Sequence, residues 1–175
     1  MKKLINKTII LLLFVALTGC NDWLDVSPKA DMKAEDLFGT EAGFRDALVG
    51  VYALMCGTNS YGRDLTYGYL DVLAQYYNSP LKTTSSGYEH NFKNAAEYKY
   101  TEKTEESRIS SIWSNHFSAV ANINQAMLFI DENKGVFTSP EVHDVYKGEF
   151  LALRAFLHFD ILRLFAPSAA MNNNK

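Results

Sequence analysis

The 175-residue chain is 47% hydrophobic and 13% aromatic, and its 17 Lys and Arg nearly balance 20 Asp and Glu; these are the proportions of one folded domain and not of a disordered chain. A formal net charge of −3 without a basic cluster removes the electrostatic footprint by which proteins hold nucleic acid, so no nucleic-acid partner is expected. Two cysteines exclude both a disulfide-dense scaffold and a multi-cysteine zinc module.

Lys2, Lys3 and Lys7 precede the apolar run from Ile9 to Leu17. That run is less than half of the about 20 residues a helix needs to cross a bilayer. A charged start followed by a short apolar stretch is the layout of a secretory signal peptide. Leu17-Thr18-Gly19-Cys20 then resembles the bacterial lipobox, in which an aliphatic residue and two small ones precede Cys. The resemblance implies cleavage after Gly19 and lipid chains on Cys20, so residues 1–19 read as a lipoprotein signal peptide and 20–36 as the lipidated Cys and its tether. Each buried methylene adds about 0.8 kcal/mol of membrane affinity, so several acyl chains anchor a protein that does not span. With Cys20 lipidated, Cys56 has no partner in this chain and reads as a small core residue without chemistry.

The tether is polar and contains Pro28, while Trp23, Leu24 and Val26 interrupt it and are expected to pack back onto the domain. After Thr40, a good N-cap, Phe44, Ala47, Leu48, Val51, Tyr52 and Met55 keep helical spacing up to Gly57, which predicts a first amphipathic helix. A second helix is predicted from about Asp64 to Tyr77, with Tyr67, Leu70, Leu73, Ala74 and Tyr77 on one face and Gly68 against it. From Asn78 to Thr104 the chain is rich in Ser, Thr, Asn, Lys and Gly with no sustained period, a loop much longer than the typical 4 to 6 residues, roughly.

Glu105 to Asn133 reads as a third helix, its core stripe running through Ile109, Ile112, Trp113, Phe117, Val120, Asn124, Met127 and Leu128. Ser139 and Pro140 then cap a fourth helix that runs to Phe165 before Pro167. From Phe150 on, this last helix is apolar nearly all round, so it should lie at the centre of a larger assembly. Little follows it, and the chain is expected to be the opening section of a longer protein. Strand-like alternation is missing, and the fold class is all-α, built from helix hairpins of tetratricopeptide-like type with one long irregular loop.

These landmarks resemble the N-terminal part of the SusD/RagB family. Trp23-Leu24-Asp25-Val26-Ser27-Pro28 is similar to its aromatic-Leu-Asp-x-x-Pro opening, and Phe38-x-Thr40 with Ala47-Leu48-x-Gly50-x-Tyr52 to its first helix. Trp113, Phe117, Val120 and Asn124 keep the family's Trp, Tyr, Ile and Asn spacing, and Gly148-Glu149, Leu153-Arg154-Ala155-Phe156 and Phe159-Asp160-Ile161-Leu162 resemble its closing helix. Phe117 lacks the usual Tyr hydroxyl, and Ala166 stands where Gly is common. The resemblance makes residues 37–175 a SusD-like helical domain, incomplete at its C-terminus. It implies a surface lipoprotein of the outer membrane, without cofactor, that captures a nutrient such as an oligosaccharide and passes it to a TonB-dependent transporter.

Catalysis finds no support in the residues. His90, His116, His143 and His158 show no metal-ligand spacing, and there is no nucleophile elbow or Gly-rich phosphate loop. No catalytic residue and no metal site are therefore assigned. Glu149, Arg154 and Asp160 sit in the most apolar helix, where a charge needs a partner, and they read as structural polar residues. Sugar capture needs exposed rings beside hydrogen-bonding groups. Tyr88, Asn91, Phe92, Tyr98 and Tyr100 of the long loop supply that mixture and are the candidate ligand residues, although the same rings also suit gluing the loop to the domain. Helix-hairpin arrays also bind proteins through extended surfaces, so docking onto the transporter without glycan contact is the alternative reading.

Overall fold

The computed structural model describes residues 33–77 and 92–167. They form α1 (Ala34–Leu37), α2 (Glu41–Met55), α3 (Tyr69–Leu73), α4 (Lys93–Ala96), α5 (Lys103–Phe129), a 3-10 turn (Lys134–Val136) and α6 (Pro140–Phe165). Among the described residues there is no strand, and the fold is all-α as the periodicity requires. The expected signal peptide, lipidated Cys20 and most of the tether lie outside the described residues.

α2 begins where Thr40 accepts a hydrogen bond from the Gly43 amide, and α6 begins where Ser139 accepts from Val142 with Pro140 in the first turn. Both are side-chain caps on orphan amides. Phe44, Leu48 and Val51 of α2 pack against Ala119, Val120, Ile123 and Ala126 of α5 and against Phe150, Leu153 and Leu157 of α6. Polar ties close the ends of this three-helix unit. Glu41 accepts from the Thr138 amide and hydroxyl at 2.7 Å each, and these bonds hold its carboxyl below the usual range. Asn133 donates to the Phe38 carbonyl and Asn115 to the Leu54 carbonyl, both at 2.9 Å.

The helix predicted over 64–77 is contradicted: only Tyr69–Leu73 is α-helical, and the chain from Gly57 to Gly68 runs in wide turns. Gly62, Leu65 and Gly68 donate to carbonyls five residues back, and a Cβ on Gly62 would lie 2.2 Å from the Cys56 carbonyl oxygen. Side-chain periodicity does not report such close backbone approaches. Cys56, read as a core residue, is exposed at the end of α2, where the chain leaves the buried face. The long loop likewise contains a helix, α4, and ends at α5 earlier than expected.

Trp113 and Phe117 were expected in the core and instead are 43% and 37% exposed. The buried residues of α5 are Glu105, Ile112, His116, Ala119, Val120, Ile123 and Ala126, so Ile112 and Val120 of the expected stripe are in the core while Leu128 is 66% exposed. The aromatic pair falls one residue, about 100°, further round than Ile112 and His116. Among the described residues α6 buries one stripe and leaves Leu162 60% exposed; its expected central position concerns a larger assembly.

Candidate ligand-binding site

A second apolar cluster, Leu65, Tyr69, Val72, Ala95 and Ile112, ties α3 and α4 to α5. From it the chain leads to the loop tyrosines. Gln75 and Tyr98 both take left-handed backbone, with φ of 58° and 54°, a conformation that is strained for a residue with a side chain. Each supplies a bond that holds the other's turn. Gln75 donates to the Val72 and Ala96 carbonyls at 3.2 Å, and the Tyr98 hydroxyl donates to the Leu73 carbonyl at 2.9 Å. The Leu73 and Ala96 carbonyls are end carbonyls of two short helices, and the Val72 carbonyl also accepts from the Gln75 amide at 3.0 Å.

The outcome is a fixed pair of rings. Tyr98 and Tyr100 are 49% and 45% exposed, with centroids 6.1 Å apart. Burial holds the Tyr100 phenol above its ordinary value, with the Tyr98 phenol adding to it, so its hydroxyl is neutral at physiological pH. Phe92 is placed differently, half-buried with the Arg108 guanidinium 4.5 Å and the Arg63 guanidinium 5.4 Å from its ring centroid. Tyr88 and Asn91 lie outside the described residues.

Beneath Phe92 is a cluster of buried charge. Asp64 accepts from Arg63 at 2.8 Å and from Arg108 at 3.3 Å, and Glu105 lies 3.7 Å from Arg108. Burial pushes the Glu105 carboxyl above the usual range, against the pull of Arg108. Tyr69, beside this cluster, is pushed up to about 12, first by burial and then by the Glu105 charge.

Two kinds of concavity are built on α5. A cavity of about 360 Å³ is lined by Tyr69, Leu73, Tyr100, Ile109, Leu164 and Phe165 among others. Phe165 continues from it to Trp113, at 4.9 Å edge to face, and Trp113 to Phe117 at 4.6 Å. On the other side, shallow polar grooves of about 380 Å³ and 270 Å³ share Asn59, Ser107 and Ser111 and run past Ser114, Ser118 and Arg63. Tyr100 borders the apolar cavity, whereas the hydroxyl, amide and guanidinium groups line the polar grooves, which neither Tyr98 nor Tyr100 lines.

A family model described as SusD-like, starch-binding and associating with the outer membrane matches residues 22–175. The chain belongs to the SusD-like family. No curated protein and no solved structure matches it. The family's description names binding and outer-membrane association, not a reaction, in line with the lack of catalytic motifs in the sequence.

In this SusD-like chain Glu149, Arg154 and Asp160 of the last helix each meet a specific partner. Asp160, 3% exposed, accepts from the Tyr61 hydroxyl at 2.6 Å and from Arg163 Nε at 3.0 Å. Burial and the Asp160 carboxylate keep the Tyr61 phenol far above its ordinary range. Glu149 accepts from Tyr52 at 2.6 Å, and Arg154 donates to Asn124 at 3.2 Å. All three tie α6 to its neighbours and lie on elements apart from the Tyr98 and Tyr100 rings. Sequence reasoning missed Asp64, Glu105 and Arg108. The available signal was Glu105 and Arg108 at i, i+3, a pair that is usually a solvated surface contact and does not reveal its burial.

Proposed function

We propose that this chain is a non-catalytic, lipid-anchored protein on the outer face of the outer membrane, which captures an oligosaccharide and passes it to a TonB-dependent transporter. The observation that carries the reading is the held pair of exposed rings, Tyr98 and Tyr100. Stacking of a sugar's C–H face on such rings is weak at each contact. An anchor beside the transporter raises the effective concentration, so weak contacts suffice.

Replacing Tyr98 and Tyr100 together by alanine is expected to weaken retention on immobilised starch by at least about tenfold, the size of one lost aromatic anchor. Retention equal to that of the unaltered protein would remove the rings from the site. The exposed outer face of α6, with Phe159 at 56% and Leu162 at 60%, supports a second role as the docking surface. Phe159→Ser with Leu162→Ser is expected to abolish co-purification with the transporter and leave starch retention unchanged. The reverse pattern would exchange the two assignments.

Anchoring is the remaining element of the reading. Cys20→Ser should move the protein from the membrane fraction to the soluble fraction, because a single Cys carries all the lipid. A variant that still sediments with the outer membrane would place the anchor elsewhere.

A further inference from the structure

Two guanidinium groups flank Phe92, and one carboxylate holds both. Asp64, 1% exposed, accepts from Arg63 and from Arg108, whose guanidinium carbons lie 5.4 and 4.5 Å from the ring centroid. Glu105 has no exposed surface and no hydrogen bond on either oxygen, and Arg108 Nε is 3.7 Å away. An acid buried in this way is expensive unless a neighbouring cation answers it. Its field adds to that of Asp64 in keeping Arg108 inside, over the face of an aromatic ring. Cation–π attraction is strongest where water is excluded.

Phe92 immediately precedes α4, and its carbonyl accepts from the Ala96 amide at 2.9 Å. A helix of four residues has no stability of its own, because nucleation is unfavourable and propagation is too short to repay it. Its position must come from tertiary contacts: Ala95 is buried in the second apolar cluster and Asn94 donates to Thr104 at 3.1 Å, and further contacts hold its ends. Phe92 supplies one end, and Tyr98 and Gln75 supply the other.

We propose that Asp64 and Glu105 are positioning residues for the tyrosine-bearing segment: they hold Arg63 and Arg108 against Phe92, and the clamped ring fixes where Tyr98 and Tyr100 are presented. For its consequence in ligand capture the proposal rests on the glycan reading; the clamp itself is a property of the free protein.

Amide exchange followed by NMR on the full chain reads the clamp without ligand. The amides of Ala96, Glu97, Tyr98 and Lys99 are bonded to the carbonyls of Phe92, Lys93, Ala95 and Asn94 and report on the segment. Phe92→Leu keeps apolar bulk and removes the ring, whereas Phe92→Tyr keeps the ring. The leucine variant is expected to speed exchange at these amides by about 2- to 30-fold, the range set by a cation–π contribution of ordinary size, and the tyrosine variant to leave them unchanged. In both, the centre of α5 stays protected. Asp64→Asn speeds the same amides, and its effect largely disappears when combined with Phe92→Leu, because the two act through the same contact. Equal behaviour of the leucine and tyrosine variants, additive effects, or acceleration throughout α5 would overturn the clamp. Starch retention is scored separately: a loosened segment with retention unaltered leaves the clamp standing and sinks the glycan reading, and retention lost along with protection supports both.

Discussion

Gly43→Ala is expected to destabilise the domain by about 3 kcal/mol or more, the upper range of an overpacked site together with a lost helix cap. A Cβ at this position would lie 1.6 Å from the Leu37 carbonyl oxygen and 2.6 Å from its carbon. Both are backbone atoms, so no rotamer change relieves the clash. The turn between α1 and α2 must move, and with it the Thr40 cap on the Gly43 amide and the buried Phe38 ring. Gly50→Ala in the same helix has the opposite expectation. Nothing lies within 4 Å of the added methyl, so the helix gains about 0.5–1 kcal/mol from the lower entropy of the unfolded chain. Urea unfolding of the two variants side by side checks both signs. A Gly43→Ala variant as stable as the parent would show that the turn is free to adjust.

Arg108→Ala is expected to cost about 3–5 kcal/mol, the effect of removing one partner from a buried charge group, out of the roughly 5–15 kcal/mol that holds a domain together. Asp64 keeps Arg63, but Glu105, without exposed surface, loses the cation that lowers its pKa. With that cation gone, desolvation drives the Glu105 carboxyl still further above the usual range. The folded state then binds this proton more tightly than the unfolded state does. The variant therefore recovers stability as pH falls from the raised folded value toward the ordinary Glu value of about 4.3. Other carboxylates titrate in both proteins, so the informative quantity is the gap between variant and parent. It should be narrower at pH 5 than at pH 7 in urea unfolding. A gap that is constant or widens with acid would mean that Arg108 is not the group that compensates Glu105.

The elements with a clear period and a cap were legible in the sequence. Thr40 and Ser139 open α2 and α6 where expected, because capping is a local event that needs only the side chain and the amide three residues on. α5 was legible as an element but not as an orientation. A pattern with apolar residues on two adjacent stripes permits either to face inward, and the choice of Ala119, Ile123 and Ala126 over Trp113 and Phe117 is made by the packing of α5 against α2 and α6. The Gly57 to Gly68 segment resisted reading for a different reason. Turn bonds that span three residues alternate there with bonds that span five or six, a mixture that no side-chain period marks. Two of the loop tyrosines nominated for ligand contact do present exposed rings, yet the devices that hold them, the left-handed Gln75 and Tyr98 and the arginine pair around Phe92, had no sequence signature.

Class, membership, the capped starts of α2 and α6 and the end of α6 at Phe165 thus follow from the sequence by itself, since composition, capping and helical period act over a few neighbouring residues. α5, by contrast, runs Lys103–Phe129 and not Glu105 to Asn133. Only the tertiary structure decided which stripe of α5 is buried, that Asp64, Arg108 and Glu105 form one buried cluster, and that Tyr98 and Tyr100 are held as a pair. Those outcomes depend on residues dozens of positions apart meeting at atomic distance. Desolvation and ring geometry assign their roles at that meeting and not before.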